Sequence, residues 1–203
     1  MSISEENIKL LKAYNALKEG HFILSSGLHS QYYIQCAKIM ANPIIAQDLC
    51  SRLVEKISSE IDVSQITKIV APAMGGLLVG YELARQLHKE NIFCERVDGK
   101  FEFRRGFSLD ENDKVLIVED VLTTGKSSLE TYALVKKYNA KIIAETCLIR
   151  RDITIEKLDN VPIISLFDLS FPTYNADKLP DILKKIPASK PGSRFLKTNK
   201  FSS

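Results

Sequence analysis

The sequence predicts an α/β fold, a central and mostly parallel sheet flanked by helices, and three observations carry that prediction. Short apolar runs alternate with amphipathic helical segments through the middle of the chain, the signature of β-α-β units. One of those runs, Val115-Leu116-Ile117-Val118, is apolar at every position and suits burial on both faces, as a parallel sheet requires. The chain has 203 residues, 45% of them hydrophobic and 26% charged, which supports one sizeable core but hardly two catalytic domains.

The elements follow in order. Ser2-Ile3-Ser4-Glu5 has the pattern of a capping box, and Ile8, Leu11, Tyr14 and Leu17 continue at helical spacing until Gly20 ends the helix. Phe22 to Ile34 is rich in Ser, Gly and aromatic residues and reads as short strands and turns. Asn42 suits a helix N-cap and Pro43 the first helical position, with Ala46, Leu49, Cys50, Leu53 and Ile57 marking the buried face. The alternation then begins: strand at Ile66–Ala71, helix at Leu77–His88, strand at Ile92–Glu95, strand at Val115–Val118, helix at Ser127–Tyr138, strand at Ile142–Ile149. Between Arg96 and Asp113 the periodicity disappears, and a loop or twisted hairpin reaching away from the sheet is expected. The tail after Ser189 is basic and polar, and its last residues read as disordered.

Composition excludes several classes of function. No apolar run approaches the ~18 residues of a membrane span. The polar, acidic start also lacks the regions of a signal peptide, so a cytoplasmic protein without a membrane partner is expected. Cys36, Cys50, Cys94 and Cys147 lie far apart, with no Cys-x-x-Cys pair, and three of them sit in apolar patterns, as buried reduced thiols do. A net charge of +3 is too small to argue for nucleic acid, though a locally basic site can still meet an anionic substrate.

The chemistry concentrates in VLIVEDVLTTGKSS, Val115 to Ser128. Glu119-Asp120 sets two acids at the C-terminal end of an apolar strand, where ligands bind in open α/β sheets. Thr123-Thr124-Gly125-Lys126-Ser127 is a small-residue turn into a helix, whose N–H groups and hydroxyls favour a phosphate. Acids beside a phosphate cradle make sense if the ligand also presents hydroxyls, since carboxylates accept from O–H donors. A sugar phosphate has both ends: the acids hold the ribose 2′- and 3′-hydroxyls and residues 123 to 127 the 5′-phosphate. The same carboxylates place negative charge beside a ribose that becomes cationic at its transition state.

This segment resembles the phosphoribosyl pyrophosphate (PRPP) motif of type I phosphoribosyltransferases, an apolar strand, two acids and a Thr-x-Gly-x-Ser loop. The Walker pattern Gly-x-x-x-x-Gly-Lys-Ser/Thr and the Rossmann glycine pattern are absent. Residues 20 to 36, GHFILSSGLHSQYYIQC, resemble the hood of orotate phosphoribosyltransferases through Phe22, Leu24, Ser26, Gly27, Ser30 and Tyr32. The resemblance implies the type I phosphoribosyltransferase fold, with a small hood drawn mainly from residues 1–40 and part of the C-terminal region on a core of about 41–170. It implies PRPP contacts from Glu119, Asp120, Val121, Leu122, Thr123, Thr124, Gly125, Lys126 and Ser127. Ala71-Pro72-Ala73-Met74-Gly75-Gly76 resembles the pyrophosphate loop and brings in Met74 and Gly75; many members carry lysine where Gly75 stands, so backbone amides are expected to bind there.

For orotate the resemblance implies Ser26, Gly27, Tyr33, Thr123 and Arg151, the arginine facing the orotate carboxylate; where many members carry lysine this chain has Ser25. Arg96 and Lys100 match cations of a catalytic loop that, in relatives, crosses to the neighbouring subunit of a homodimer and neutralises pyrophosphate. Asp120 joins them as a catalytic residue. Relatives continue that loop with a histidine and an acid; Phe101-Glu102-Phe103-Arg104-Arg105 stands there instead, its arginines either replacement cations or a solvated turn. Lys190-Pro191-Gly192-Ser193-Arg194 resembles the end of one branch of the family. Mg²⁺ is the implied cofactor, held mainly by substrate and water. Two other readings stay open: a phosphoribosyltransferase for a purine base, and a non-catalytic regulator that senses PRPP.

Overall fold

Asn42 opens the longest helix by accepting hydrogen bonds from the Ile44 and Ile45 N–H groups through its side chain, with Pro43 at the first helical position. The computed structural model of the chain describes residues 5–24 and 26–191. Ser2 to Ser4 of the expected capping box, Ser25, and the tail from Gly192 onward lie outside the described residues. Helix α1 is Glu5–Ala13, followed by β1 (Leu17–Ile23), β2 (His29–Ile34), the short α2 (Ala37–Met40) and α3 (Pro43–Glu60). Then come β3 (Lys68–Pro72), α4 (Gly75–Leu87), β4 (Glu90–Val97), β5 (Lys100–Phe103), β6 (Lys114–Leu122), α5 (Lys126–Lys136) and β7 (Lys141–Arg150). The chain continues through β8 (Lys157–Leu158), β9 (Val161–Asp168), β10 (Thr173–Tyr174) and α6 (Asp181–Lys184).

Two units result. The larger comprises the chain up to Ala16 together with Gln35–Ser170. Its seven-stranded sheet has the order β5-β4-β3-β6-β7-β9-β8, in which every pair from β4 to β9 is parallel and the two outermost pairs are antiparallel. Val115, Leu116, Ile117 and Val118 of β6 are each fully buried, so both faces of the sheet are covered. Helices α3 and α4 pack on one another and on the strands, while α5 packs on β3, β5, β6 and β7. The α3 face is the one the sequence predicts: Ala46, Leu49, Cys50, Leu53 and Ile57 are buried. All four cysteines are buried and free. Among the described residues no helix is long and apolar enough to cross a membrane.

Three expectations need correction. The first helix stops at Ala13 rather than at Gly20: Asn15 takes a left-handed backbone (φ 52°), its N–H donates to the Lys12 carbonyl, and the Ala16 N–H donates to the Leu11 carbonyl. That pair of bonds is a Schellman closure, with buried Leu11 and Ala16 as its apolar contact. Leu17 and Gly20 therefore belong to β1. Second, the aperiodic stretch after Arg96 opens as a hairpin within the sheet rather than one reaching away from it, and only residues 104–113 are irregular. Asp98 and Gly99, both at positive φ, make a two-residue turn, and β5 returns antiparallel along β4 with Val97 opposite Lys100. Buried Phe101 and the edge-on contact of Phe103 with Tyr138 hold that strand down. Third, β6 runs four residues past Val118, carrying the acidic pair inside the strand.

The smaller unit comprises Leu17–Ile34 and the chain from Phe171 on. Here β1 and β2 pair antiparallel, with an irregularity between Glu19 and Phe22, and β10 adds to β2. Inside it the buried imidazoles of His21 and His29 meet at 2.6 Å, and the other His21 ring nitrogen lies 2.8 Å from the Ile186 carbonyl.

Candidate active site

The order of strands reverses between β3 and β6: the chain leaves β3 for β4 on one side and leaves β6 for β7 on the other. Adjacent strands feeding helices in opposite directions leave a crevice at their C-terminal ends, where ligands bind in sheets of this type. Both helices that start there lack a side-chain cap. Helix α4 follows β3 directly, and Met74 at its N-cap makes no capping bond. Helix α5 follows β6, and its N-cap is Gly125 in the left-handed conformation (φ 71°), again without a side-chain bond. Each end thus offers first-turn N–H groups and the positive end of the helix dipole to an anion.

Between these two ends stands Asp120. A Cβ built on Gly75 would lie 2.5 Å from Asp120 Oδ1, and one on Gly76 would lie 2.2 Å from the Val118 carbonyl oxygen. Only glycine lets the α4 turn approach β6 so closely. Burial pushes the Asp120 carboxyl above its ordinary value, opposed by the Val121 N–H, which donates to Oδ1 at 2.7 Å. The Cys36 thiol donates to the Asp120 carbonyl at 3.8 Å. Consecutive strand residues alternate faces, so Glu119, also buried, points to the opposite side of the sheet, the side of Ile117. The predicted pair is therefore splayed, with Asp120 alone on the side of the Gly75 turn.

Of the residues predicted to meet PRPP, Met74, Gly75 and Asp120 come together, and Val121 to Ser127 form the adjoining turn into α5. Thr124 and Lys126 are exposed, Thr123 and Ser127 half-buried. A Cβ on Gly125 would strike the Leu158 side chain at 2.5 Å, so β8 lies against this turn. Arg151 is half-buried, its N–H donates to the Leu122 carbonyl at 2.8 Å, and burial lowers the pKa of its guanidinium.

Arg96 is engaged elsewhere. Its guanidinium donates to the Gly99 carbonyl at 2.6 Å, pairs with Glu130 of α5 and lies 4.2 Å from the centre of the Phe101 ring. Lys100 is exposed at the start of β5. Arg105 is held bidentate by Glu95, both contacts at 3.0 Å, while Arg104 is exposed. In the smaller unit, Ser26 and Gly27 are exposed on the turn between β1 and β2, with Gly27 at φ 86°, and Tyr33 packs on Phe22 with ring centres 5.7 Å apart. Tyr32 instead stacks on Phe171 at 4.6 Å.

Among the described residues no three His, Cys, Asp or Glu side chains gather into a metal cage. The acidic donors at the crevice fit a hard divalent cation that arrives with substrate oxygens and water.

Sequence reasoning missed a buried cluster behind the turn: Glu145 of β7 accepts from Ser128 Oγ and Tyr132 Oη of α5, each at 2.5 Å. The signal available was one acid, Glu145, in the middle of an apolar strand.

Two uncapped helix ends flanking a carboxylate suit a ligand with phosphates at both ends and hydroxyls between, and the class of protein follows from that and from the fold. Residues 37–171 match the phosphoribosyl transferase domain family. An orotate phosphoribosyltransferase of Erythrobacter litoralis is 45% identical over 94% of this chain and 97% of its own length. One from Caldicellulosiruptor saccharolyticus is 42% identical over 95% of this chain and 98% of its own. The chain belongs to the orotate phosphoribosyltransferase family. Solved structures share the fold: an orotate phosphoribosyltransferase from Aeropyrum pernix (TM-score 0.69, 23% identity, 79% of this chain and 92% of that one). So does an adenine phosphoribosyl transferase from Trypanosoma brucei in complex with AMP, pyrophosphate and ribose-5-phosphate (TM-score 0.59, 19% identity, 83% and 84%). The fold thus serves more than one base.

Proposed function

We propose that this chain transfers the 5-phosphoribosyl group of PRPP to orotate, yielding orotidine 5′-monophosphate and pyrophosphate in pyrimidine biosynthesis. One observation carries the reading: Asp120 lies between two uncapped helix N-termini at the point where the strand order reverses. The turn 123–127 binds the 5′-phosphate through backbone N–H groups and hydroxyls, and the turn at Met74-Gly75 takes the pyrophosphate. Asp120 accepts from the ribose hydroxyls and sets negative charge near C1′ as the bond to pyrophosphate breaks and positive charge builds there, while Glu119, on the opposite face of β6, leaves that direct role to Asp120. Mg²⁺, when bound, would neutralise negative charge on the pyrophosphate leaving group. Orotate nitrogen then attacks C1′ from the opposite face. Arg151 meets the orotate carboxylate, a planar cation suited to that group, with Thr123 as a second contact, and Ser26, Gly27 and Tyr33 are the orotate positions that the family resemblance assigns to the smaller unit.

The enzyme acts as a homodimer in which Arg96 and Lys100 serve the neighbouring subunit's pyrophosphate. Leu78 and Tyr81, one turn apart on α4 and 46% and 64% exposed, supply an apolar face for a second copy. The buried free thiols support a reducing compartment, the cytoplasm.

Purified protein mixed with Mg²⁺, PRPP and each base in turn is expected to form orotidine 5′-monophosphate from orotate alone. Purine nucleotide without it would reject the base assignment. Pyrophosphate release with none of the bases, and PRPP still bound, would make the protein a sensor rather than an enzyme.

A further inference from the structure

A carboxyl group in the middle of a sheet is costly, because burial removes its water and only good hydrogen bonds replace it. Glu145 is such a group. It has no exposed surface, and it lies in β7 between Ile117 of β6 and Ile163 of β9, facing an apolar cluster that includes Tyr132 and Val135. Nothing in the strand pattern asks for polarity there, and an apolar side chain would fill the position at lower cost.

What the carboxyl does instead is reach α5. Oε1 accepts from Ser128 Oγ and Oε2 from Tyr132 Oη, each at 2.5 Å, and both donors are almost fully buried. Ser128 is the residue directly after the TTGKS turn, and Tyr132 stands one turn further along the same face. Thr131 donates to the Ser127 carbonyl at 2.9 Å, a bond within α5 that ties its first turn to its second. The end of the helix that offers its N–H groups to a phosphate is therefore bolted to the sheet at its first two turns, although its N-cap is a glycine without a side chain.

We propose that Glu145 is a positioning residue for the phosphate turn: through Ser128 and Tyr132 it fixes the first turns of α5 on β7 and so fixes where the N–H groups of residues 125–127 point. This inference rests on the reading of residues 123–127 as the 5′-phosphate site. Its consequence is selective, since loosening the bolt weakens PRPP binding and leaves the base side of the reaction alone.

The test separates positioning from core stability. In the triple variant Glu145→Leu, Ser128→Ala, Tyr132→Phe no buried polar group is left without a partner, so its melting temperature should stay near that of the wild type. Its KM for PRPP should nevertheless rise about tenfold, a fraction of what an ångström of misplacement can cost, with KM for orotate within about twofold of wild type. Glu145→Gln keeps the shape and an acceptor, and its KM for PRPP should return to within about threefold of wild type. Ser128→Ala alone removes the contact nearest the turn and should raise the PRPP KM about threefold with the fold unchanged, whether or not the triple variant folds. A Ser128→Ala protein, or a folded triple variant, that binds PRPP as tightly as the wild type would overturn the proposal. Failure of the wild-type protein to bind PRPP would defeat the phosphate reading itself, a separate result.

Discussion

Asp120 and Gly75 constrain each other, and the constraint can be tested one atom at a time. Gly75→Ala adds a Cβ 2.5 Å from Asp120 Oδ1 and 2.9 Å from Cγ, closer than non-bonded atoms come, so the carboxylate must move. Gly75 has no positive φ, so the backbone itself accepts alanine. The expected outcome is a well-folded protein whose kcat/KM falls about tenfold or more, read from steady-state rates beside a melting curve. Wild-type kinetics would mean that the position of Asp120 is unimportant. Glu145 makes a second residue-scale prediction, about pH. Burial pushes it from an ordinary value of 4.5 up to about 7, against the pull of the Ser128 and Tyr132 hydroxyls. Tyr132 faces it from α5 and Cys147 from its own strand, both themselves raised by burial. The folded state therefore holds a proton that the unfolded chain releases between about pH 4.5 and 7. The stability this confers is complete below that window and is lost as pH rises through it. Unfolding in urea should show the wild type losing about 2.5 kcal/mol relative to Glu145→Gln between about pH 5 and pH 8. A difference that stays flat across that range would show that Glu145 does not titrate there.

At the scale of elements, α3 illustrates a helix specified by its own residues. Asn42→Ala removes the acceptor for the Ile44 and Ile45 N–H groups and should cost about 1 kcal/mol, seen in the melting temperature, with KM for PRPP unchanged because the cap touches no site residue. A loss of PRPP binding in that variant would tie the cap to the site. The same helix shows which elements could be read in advance. Its cap, proline and apolar stripe all lie within one segment, and the strands at β3, β6 and β7 are apolar runs whose burial on both faces leaves no other use for them. Elements that depend on partners could not be read this way. Leu17 fits the helical spacing of Leu11 and Tyr14, and only the left-handed turn at Asn15 sends it into β1. Strand β9 begins with Val161-Pro162 and includes Ser165 and Asp168, whose polarity is explained by the ion pair Arg150–Asp168 and the Ser165 hydroxyl, which donates to Asp168. The acidic pair and the TTGKS turn were legible because they are contiguous. Glu145 with Ser128 and Tyr132 was not, because the cluster exists only once β7 is laid beside α5.

At the scale of the whole molecule, the cations Arg96 and Lys100 pose the question of which site they serve. The hairpin that carries them, β4 and β5, is the edge of the seven-stranded sheet, separated from β6 by β3, and Arg96 is occupied by Glu130, the Gly99 carbonyl and the Phe101 ring. If each active site takes Asp120 from one subunit and Lys100 from its neighbour, two different inactive variants can complement one another. Asp120→Asn and Lys100→Ala homodimers should each turn over at least about a hundredfold more slowly than wild type, since each lacks preorganised charge at the reacting group. Mixed and allowed to exchange subunits, half of the dimers become hybrids, and each hybrid holds one site with both native residues and one with neither. The mixture should then recover about a quarter of wild-type activity per subunit, a value fixed by the two-fold symmetry and independent of either variant's residual rate. Size-exclusion chromatography of the mixture, run beside the assay, checks whether dimers are present. Recovery that remains at the level of the two variants, with exchange verified by differently tagged subunits, would assign Lys100 to its own subunit's site or to none.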